Sequence, residues 1–458
     1  MKKTPLHRRD FLRGSLAAGA GLATLGGLDP LQQLSYAQQT NPDAPDRYYI
    51  FCYFSGGWDV LLGLDPRDPR DFPSETESLR HSRIQPGYET LQLPDADIIR
   101  VNDQISFGPF IGDLQYHADK MAIIRGMNME SVAHEGGRRR FLTGKPPSGT
   151  LARGSSGATW LAGQFGGGEL VPNLSLRVES YNKDMPNYAT ALRVSAVPDL
   201  LRALRPAEPL LSPRLRRQLG LALSDAAKCP EAKASTTWEK AEYTRQKAQQ
   251  MVSEQIDTLF DFGAQTPAMR EIREHYGFNQ VGNSPGVSAA LAAKAITSGV
   301  SRCVSVAITG GLDSHQGPEW SQQQGPRQQA GFDAIAKMVD DLINTPHPSG
   351  DGSWFDRTYI VGFSEFSRTP LLNSSGGRDH HITNSCFVMG GNIRGGQIIG
   401  ASTDVGMEAA LVDRTTGQVS PEGEIIKPEH VWRTFFDEVG IDDTPDLRVQ
   451  RLGTLLRS

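Results

Sequence analysis

Acidic and histidine side chains are concentrated in one glycine-rich turn of this sequence. Glu365 directly follows the apolar run TYIVGF, and the turn after it carries Asp379, His380 and His381 in succession. A protein interior tolerates carboxylates and imidazoles only when they pair with each other or with an ion. The turn therefore indicates a functional site built from these ionisable groups.

Three further apolar runs also end in possible ligands. The strongest is the pair Asp313 and His315, because alternate residues after a strand can point the same way and two preceding glycines let the backbone turn sharply. Carboxylate oxygen and imidazole nitrogen are ligands of zinc, manganese or iron, and a carboxylate-rich site also binds calcium or magnesium. The sequence therefore predicts a divalent metal as the cofactor. The other two runs, residues 47–54 and 121–127, lead to Asp59 and His134.

The runs that carry these groups are predicted to be buried strands of one sheet. Residues 47–54 are continuously apolar and aromatic, which is typical of a strand covered on both faces. A helical pattern over residues 325–345 joins the runs 303–309 and 358–363, and this spacing indicates a right-handed crossover between parallel strands. We therefore predict an α/β fold with a mostly parallel central sheet flanked by helices. In such sheets ligands bind beyond the carboxyl ends of the strands.

The composition is that of a globular chain with many loops. Its 458 residues suffice for one large domain with insertions or for two ordinary domains. The 48 glycines and 29 prolines do not suit a bundle of helices. The net charge of −5 predicts no nucleic-acid partner. Residues 206–262 have helical periodicity with charged outer faces, so we expect a helical insertion there.

The four cysteines indicate neither a disulfide framework nor a cysteine-ligated metal. None of them has CxxC spacing, and three lie inside strand-like apolar runs, where a free thiol behaves as a small buried hydrophobe.

The N-terminus has the pattern of an export signal. Arg8 and Arg9 precede a weakly apolar stretch, and small residues at positions 35 and 37 suit a signal peptidase. The pattern resembles a twin-arginine signal, which implies export to the periplasm or beyond and the twin-arginine machinery as a partner. We predict a signal peptide over residues 1–37, a linker over 38–46 and one domain over 47–458. No later run has the apolar length of a transmembrane helix, so no membrane span is expected in the mature protein.

Four motifs together resemble those of a known family. The order of GGWD at 56–59, GLDSH at 311–315, SEFSRT at 364–369 and GGRDHH at 376–381 is similar to that in the alkaline phosphatase and sulfatase superfamily, and specifically in its DUF1501 branch. The resemblance covers most of the predicted domain and leaves the helical insertion unconstrained. It implies an alkaline phosphatase-like fold.

The resemblance also implies one or two divalent metals. Phe366 stands where the superfamily has a histidine, which implies that one metal subsite is incomplete. By position, the implied ligands are Asp59, Asp313, His315, Glu365 and His380, and Asp379 beside the last histidine is a further candidate.

The position of the superfamily nucleophile is occupied by His134. The segment HEGGRRRFLTG matches the sulfatase pattern C-x-P-S-R-x-x-x-L-T-G at Arg138 and at the final LTG. Imidazole can ligate a metal, attack phosphorus or act as an acid and base, but it cannot become formylglycine. His134 is therefore a candidate catalytic residue, and Ser131 and Thr143 are alternative hydroxyl nucleophiles.

Arg138 is the candidate for binding an anionic group, because it lies near a predicted helix N-terminus. Arg368, in the loop after a strand, is the second candidate. We expect Arg139 and Arg140 to lie on the solvated face of the helix, since three consecutive residues cannot all face one site.

These observations favour an exported metal-dependent hydrolase of phosphate or sulfate esters, acting through a metal-activated water or His134 on a small anionic substrate. The alternative is a catalytically inactive, metal-stabilised binding or accessory protein of the cell envelope. A redox role has no flavin, haem or cysteine motif to support it. His81 and His347 lie in polar stretches, so we expect no role for them in the site.

Overall fold

The computed structural model describes residues 45–149, 151–205, 212–226, 228–230, 236–441 and 445–457. The predicted signal peptide and all but the last two residues of the predicted linker lie outside these ranges. The chain divides into two compact units, one containing Val194–Arg270 and the other containing Gln39–Arg193 and Glu271–Ser458.

Eight strands form the central sheet, with the spatial order β8-β2-β7-β6-β1-β5-β3-β4. Parallel pairs join β1 to β5 and β6, β3 to β5, and β8 to β2, whereas β7 runs antiparallel to both β2 and β6. The predicted α/β class with a mostly parallel sheet is confirmed. In chain order the strands are β1 (Tyr48–Phe54), β2 (Met121–Asn128), β3 (Asn173–Leu176), β4 (Leu192–Val194), β5 (Cys303–Thr309), β6 (Thr358–Ser364), β7 (Thr383–Gly390) and β8 (Gln397–Ile399).

Three pairs of short strands lie outside the central sheet. They join Ile99–Arg100 to Ser106–Phe107, Ser367–Arg368 to His380–His381, and Leu411–Val412 to Glu424–Ile425.

The longer helices begin and end at recognisable residues. Ser284 caps α8 by accepting a hydrogen bond from the Val287 amide, and Pro285 occupies its first turn. Gly144, in the left-handed conformation, ends α2. The helices are α1 (Thr76–Ser82), α2 (His134–Thr143), α3 (Gly157–Phe165), α4 (Val197–Leu204), α5 (Pro213–Ala226), α6 (Thr236–Ser253), α7 (Pro267–Tyr276), α8 (Pro285–Thr297), α9 (Gly325–Asn344) and α10 (Pro428–Glu438).

Helices cover both faces of the sheet. Phe51 and Phe54 of β1 point to opposite faces, where Phe51 contacts Trp432 of α10 at 5.0 Å between ring centroids and Phe54 contacts Phe332 of α9 at 4.9 Å. Every residue of β1 is buried, and each large apolar side chain buried in this way contributes about 1.5–3 kcal/mol. The continuous apolar pattern of β1 follows from this double coverage.

The unit Val194–Arg270 contains helices α4, α5 and α6. The helical insertion predicted for residues 206–262 falls within this unit, and its boundaries remain a prediction.

Cys52, Cys303 and Cys386 are free thiols buried in strands. In the described ranges, no helix combines the length and the apolar character that crossing a membrane requires.

The topology brings the ends of several strands to one edge. Strands β1, β2, β5 and β6 are mutually parallel, so their carboxyl ends share that edge, and antiparallel β7 begins there. The turn between β6 and β7 therefore crosses the edge. Its two sides pair as a short antiparallel ladder that joins Arg368 to His380 and Ser367 to His381.

Candidate metal centre

Three imidazoles converge on the carboxylate of Asp313. The Nε2 atom of His134 lies 3.3 Å from Asp313 Oδ2. The Nε2 atoms of His315 and His380 lie 3.1 Å and 3.3 Å from Asp313 Oδ1. The structure therefore assembles four side chains that are separated in sequence and that follow β2, β5 and β6.

The opposite nitrogen of each imidazole is held by an oxygen of the protein. Metal-bound histidines generally donate their second ring N–H to a carboxylate or a backbone carbonyl, which fixes the tautomer and the orientation of the ring. All three histidines have this arrangement. The three pairs are His134 Nδ1 with Glu365 Oε1 at 2.9 Å, His315 Nδ1 with Asp379 Oδ1 at 2.7 Å, and His380 Nδ1 with the Val132 carbonyl at 2.6 Å.

These partners determine which ring nitrogens carry hydrogen. The Val132 carbonyl can only accept, so His380 carries its proton on Nδ1, and the Asp379 carboxylate similarly assigns a proton to Nδ1 of His315. Burial lowers the pKa of His380, which favours its neutral form. The Nε2 atoms of His315 and His380, 3.0 Å apart, then face each other with lone pairs. A cation or a shared proton between them would relieve this repulsion.

The donor set fits a first-row divalent metal. One atom each from His134, Asp313 and His380 lie within 4.8 Å of one another, and His315 Nε2 lies beside the last two. Imidazole nitrogen with one carboxylate suits zinc, manganese or iron better than calcium or magnesium, which prefer oxygen ligands.

Local packing fixes the position of His134. This residue begins α2, and Gly137 in the same turn packs directly on the strand exit. A Cβ atom added at Gly137 would lie 2.0 Å from the Glu365 carbonyl oxygen. The missing side chain therefore lets the start of α2 approach the end of β6.

Glu365 lies behind His134. It is 1% exposed and accepts hydrogen bonds from the Gly56 amide and the Ser364 hydroxyl, both at 2.9 Å. Burial alone would raise the pKa of Glu365, but the hydrogen bond with His134 and those from its other donors outweigh burial and lower it. In this geometry Glu365 is an ionised residue that orients the imidazole of His134. The sequence had suggested that it is a direct metal ligand.

Asp379 has the same relation to His315. The hydrogen bond from His315 is the main cause that lowers the pKa of Asp379, and Asn373 Nδ2 donates to the same oxygen at 3.1 Å. Asp379 therefore also orients an imidazole, although the sequence suggested that it is a metal ligand.

Arg368 fixes the orientation of the Asp313 carboxylate. Its Nη2 atom lies 2.7 Å from Asp313 Oδ1, while the buried guanidinium also donates to the carbonyls of Gly56 and Gly57. Burial would raise the pKa of Asp313, but the hydrogen bond and charge of Arg368 outweigh it and lower the pKa to about 2. Arg368 is thus committed to Asp313 and does not present a free charge to an anion.

Asp59 does not join the cluster. It is fully buried, and its carboxylate accepts hydrogen bonds from the Trp320 indole at 2.7 Å and the Leu61 amide at 3.0 Å. The Arg378 guanidinium lies 3.0 Å away, with neither side chain exposed. The structure therefore places Asp59 in a buried ion pair, where the resemblance implied the first metal ligand.

The arginines of α2 are all paired or buried. Arg138 donates to Glu179 at 2.8 Å, so its charge is already compensated. Arg140 is fully buried between Glu130 and Glu429, and its expected position on a solvated face is wrong. The charge run did not reveal this burial, because both acidic partners lie outside the helix.

The two alternative hydroxyls make contacts away from the cluster. Ser131 Oγ accepts from the Ala133 amide at 3.3 Å, and Thr143 Oγ1 donates to the Arg139 carbonyl at 2.8 Å. Within the described part of the chain, neither hydroxyl is hydrogen-bonded to a histidine or carboxylate of the cluster.

Sequence reasoning missed two elements of the site. The Val132 carbonyl orients His380, and the guanidinium of Arg368 holds Asp313. A backbone carbonyl leaves no signal in the sequence. Arg368 left a weak signal, because its position after a strand made it a candidate for the site.

Comparisons with known proteins agree with the motifs. A family model described as "Protein of unknown function (DUF1501)" matches residues 47–418, and a model of the twin-arginine translocation pathway signal sequence matches residues 5–25. A comparison with curated protein sequences gave no match.

Solved structures show only distant similarity. A protein in the alkaline phosphatase superfamily from Vibrio parahaemolyticus is 10% identical, with a TM-score of 0.38, and the match covers 99% of this chain and 80% of that one. Ps i-CgsB is 9% identical, with a TM-score of 0.37 and coverage of 88% and 75%. Its complex with k-i-k-neocarrahexaose is also 9% identical, with a TM-score of 0.37 and coverage of 90% and 75%. TM-scores below 0.5 do not establish a shared fold or activity.

Proposed function

Because the chain belongs to the DUF1501 family, whose function is unknown, and carries a twin-arginine signal, we propose that it is an exported metal-dependent hydrolase of phosphate or sulfate esters. The observation that supports this proposal is the convergence of three imidazole Nε2 atoms on the Asp313 carboxylate, with each opposite Nδ1 atom held by a protein oxygen. Such a set of donors is expensive to assemble without an ion to balance it.

The ligands in this proposal are His134, Asp313, His315 and His380, and the metal is zinc, manganese or iron. When bound, such a dication polarises an ester oxygen and makes water a better nucleophile, so no protein nucleophile is required. This assignment gives His134 the role of a ligand and accounts for a histidine at the position of the superfamily nucleophile.

The remaining residues orient the ligands and keep the Asp313 carboxylate ionised. Glu365 and Asp379 hold Nδ1 of His134 and His315, which directs each Nε2 atom toward Asp313. Arg368 occupies one side of Asp313 Oδ1 and keeps the carboxylate ionised. The side chain of His134 is 34% exposed, so the cluster is open to solvent and to a substrate on that side.

Turnover of aryl phosphate and aryl sulfate esters by metal-replete protein tests the proposal. We expect hydrolysis of at least one ester class, its loss after chelation, its recovery on adding zinc or manganese, and its absence in Asp313→Asn. Full metal occupancy without turnover on either ester class would contradict the hydrolase.

A second candidate is a metal-stabilised binding or accessory protein of the cell envelope. The pairing of Asp59 with Arg378 favours it, because this pairing removes one of the ligands that the resemblance implied. The same assay separates the two candidates, since the binder retains its metal and hydrolyses neither ester class.

A further inference from the structure

Arg177 has a backbone conformation that is unusual for its residue type. It directly follows β3 with a φ of 59°, in the left-handed region. A non-glycine residue there costs on the order of 1 kcal/mol, and such residues are often retained at binding sites. Strand β3 is parallel to β5, with Leu176 opposite Val306, so Arg177 lies at the same edge of the sheet as Asp313.

The guanidinium of Arg177 is anchored but has no acidic partner. Its Nη2 atom donates to the Ser288 hydroxyl at 2.8 Å and to the Ala307 carbonyl at 2.7 Å. Its Nε atom is buried and lacks a hydrogen-bond partner, and no carboxylate among the described residues pairs with this arginine. Arg177 therefore holds an uncompensated positive charge in a fixed position.

Other arginines at this edge have their charges balanced. Arg138 is paired with Glu179 and Arg368 with Asp313. Arg177 differs from both in having only neutral partners among the described residues. Its Nη2 hydrogens are used and its Nε atom is buried, so Nη1 is the nitrogen that can donate to an anion.

Small residues form the exit of β5, the strand next to β3. Ser55 exchanges backbone hydrogen bonds with the exit of β5, donating to Thr309 at 3.0 Å and accepting from Leu312 at 3.2 Å. A Cβ atom added at Gly310 would have only Ser55 within 4 Å, at 3.7 Å, so no other described residue crowds this position. Strand β3 lies one spacing of ~4.8 Å from β5 and three spacings, roughly 14 Å, from β6, so a centre held by residues after both strands lies about a nanometre away along the sheet.

We propose that Arg177 forms a second anion-binding subsite, which takes a negatively charged group of the substrate about a nanometre from the ester bound at the metal centre. The inference rests on the proposed function and narrows it. The substrate class becomes molecules with at least two phosphate or sulfate groups, and Arg177 determines specificity for the group that is not hydrolysed.

Two phosphonates that cannot be hydrolysed test the subsite. Hexane-1,6-bisphosphonate presents two anionic groups and hexylphosphonate presents one. With the metal-loaded protein, calorimetry should show that the bisphosphonate binds at least tenfold more tightly. Arg177→Met should remove this preference while leaving hexylphosphonate affinity unchanged, and Arg177→Lys should retain part of it.

Arg193→Met is the matched control, because Arg193 is an exposed arginine on the neighbouring strand β4. It should keep the full preference. A wild-type protein that binds hexylphosphonate without preferring the bisphosphonate, or an Arg177→Met variant that keeps the preference, would overturn the subsite alone. Failure to bind either compound would overturn the proposed function, and the subsite with it.

Discussion

At the residue scale, the contact between His315 and His380 requires a positive charge, either a bound cation or a shared proton. Their Nε2 atoms are 3.0 Å apart, and the partners of both rings assign the protons to the opposite nitrogens. Two lone pairs at that distance repel unless a positive charge lies beside them. The Asp313 carboxylate next to both rings supplies the negative ligand that such a charge requires.

Removing a ligand should remove the metal. We expect His380→Ala and Asp313→Asn to purify with little bound metal, measured by elemental analysis per folded chain, because both replacements delete a converging donor atom. His81→Ala is the control, since His81 is exposed and far from any assigned role. His347 cannot serve as the control, because it is buried against Trp354, although it lies in a loop as expected. Unchanged metal content in both ligand variants would reject these positions.

Neutralising an orienting carboxylate should weaken metal binding without abolishing it. Glu365→Gln and Asp379→Asn each keep the shape of the side chain but weaken the hold on an imidazole Nδ1–H. We expect the metal affinity, measured by competition with a chromophoric chelator, to fall 10- to 100-fold. If either variant lost the metal completely, that residue would be a direct ligand, as the sequence suggested.

Asp59 should matter for stability and not for metal binding. Asp59→Ala leaves the buried Arg378 guanidinium without its carboxylate, which should cost about 3–5 kcal/mol in the free energy of unfolding. Chemical denaturation measures this loss, and elemental analysis of the folded fraction should give the wild-type metal content. Loss of metal with little loss of stability would return Asp59 to the ligand set.

Sequence patterns predicted the residue types of the cluster better than their roles. His134, Asp313, His315 and His380 follow strands whose carboxyl ends share an edge, so their convergence could be expected. The role of Asp59 could not, because its partner Arg378 is distant in sequence and its pairing depends on the packed fold. The same reason explains the burial of Arg140.

At the scale of elements, helix α2 and the exit of β6 act as one unit that positions His134. Their close approach depends on Gly137, where no side chain separates the helix from the Glu365 carbonyl. The strands themselves were predictable, because long apolar runs without polar alternation indicate burial on both faces. The antiparallel direction of β7 was not, since an apolar run carries no information about strand direction.

Gly137→Ala should therefore displace His134. Alanine in place of glycine stabilises a helix by about 1 kcal/mol. Here, however, its Cβ atom would lie 2.0 Å from the Glu365 carbonyl oxygen, which cannot rotate away. We expect a weaker metal affinity in titrations with zinc. Gly136→Ala is the matched control in the same helix, because the one close contact of its Cβ atom would be the Ser131 hydroxyl, at 2.5 Å, which can rotate. Equal affinities in the two variants would contradict this role of the close approach.

At the scale of the whole molecule, folding connects export with the metal binding that we propose. The twin-arginine signal indicates export, and its resemblance to known signals implies that the chain is exported after folding. The candidate ligands come from segments that meet only when the sheet has formed. Metal binding should consequently stabilise the folded chain. One structural consequence of the mostly parallel sheet is that the site combines residues that are far apart in sequence, from His134 to His380.

Metal removal should lower the melting temperature. A ligand that binds only the folded state at a hundred times its Kd stabilises it by about 2.7 kcal/mol, so chelation should shift thermal unfolding downwards by several degrees. Differential scanning calorimetry with and without chelator measures the shift. The Asp313→Asn variant should show no shift, and an equal shift in that variant would place the stabilising metal elsewhere.

The central claim concerns which atoms bind the cation, and an element-specific anomalous difference map tests it most directly. Crystals should be grown from exported protein purified without chelators or metal columns. We predict one peak at roughly 2.0–2.2 Å from the Nε2 atoms of His134, His315 and His380 and from an oxygen of Asp313. A metal peak beside Asp59, or a metal found in the protein but absent from this cluster, would contradict the account.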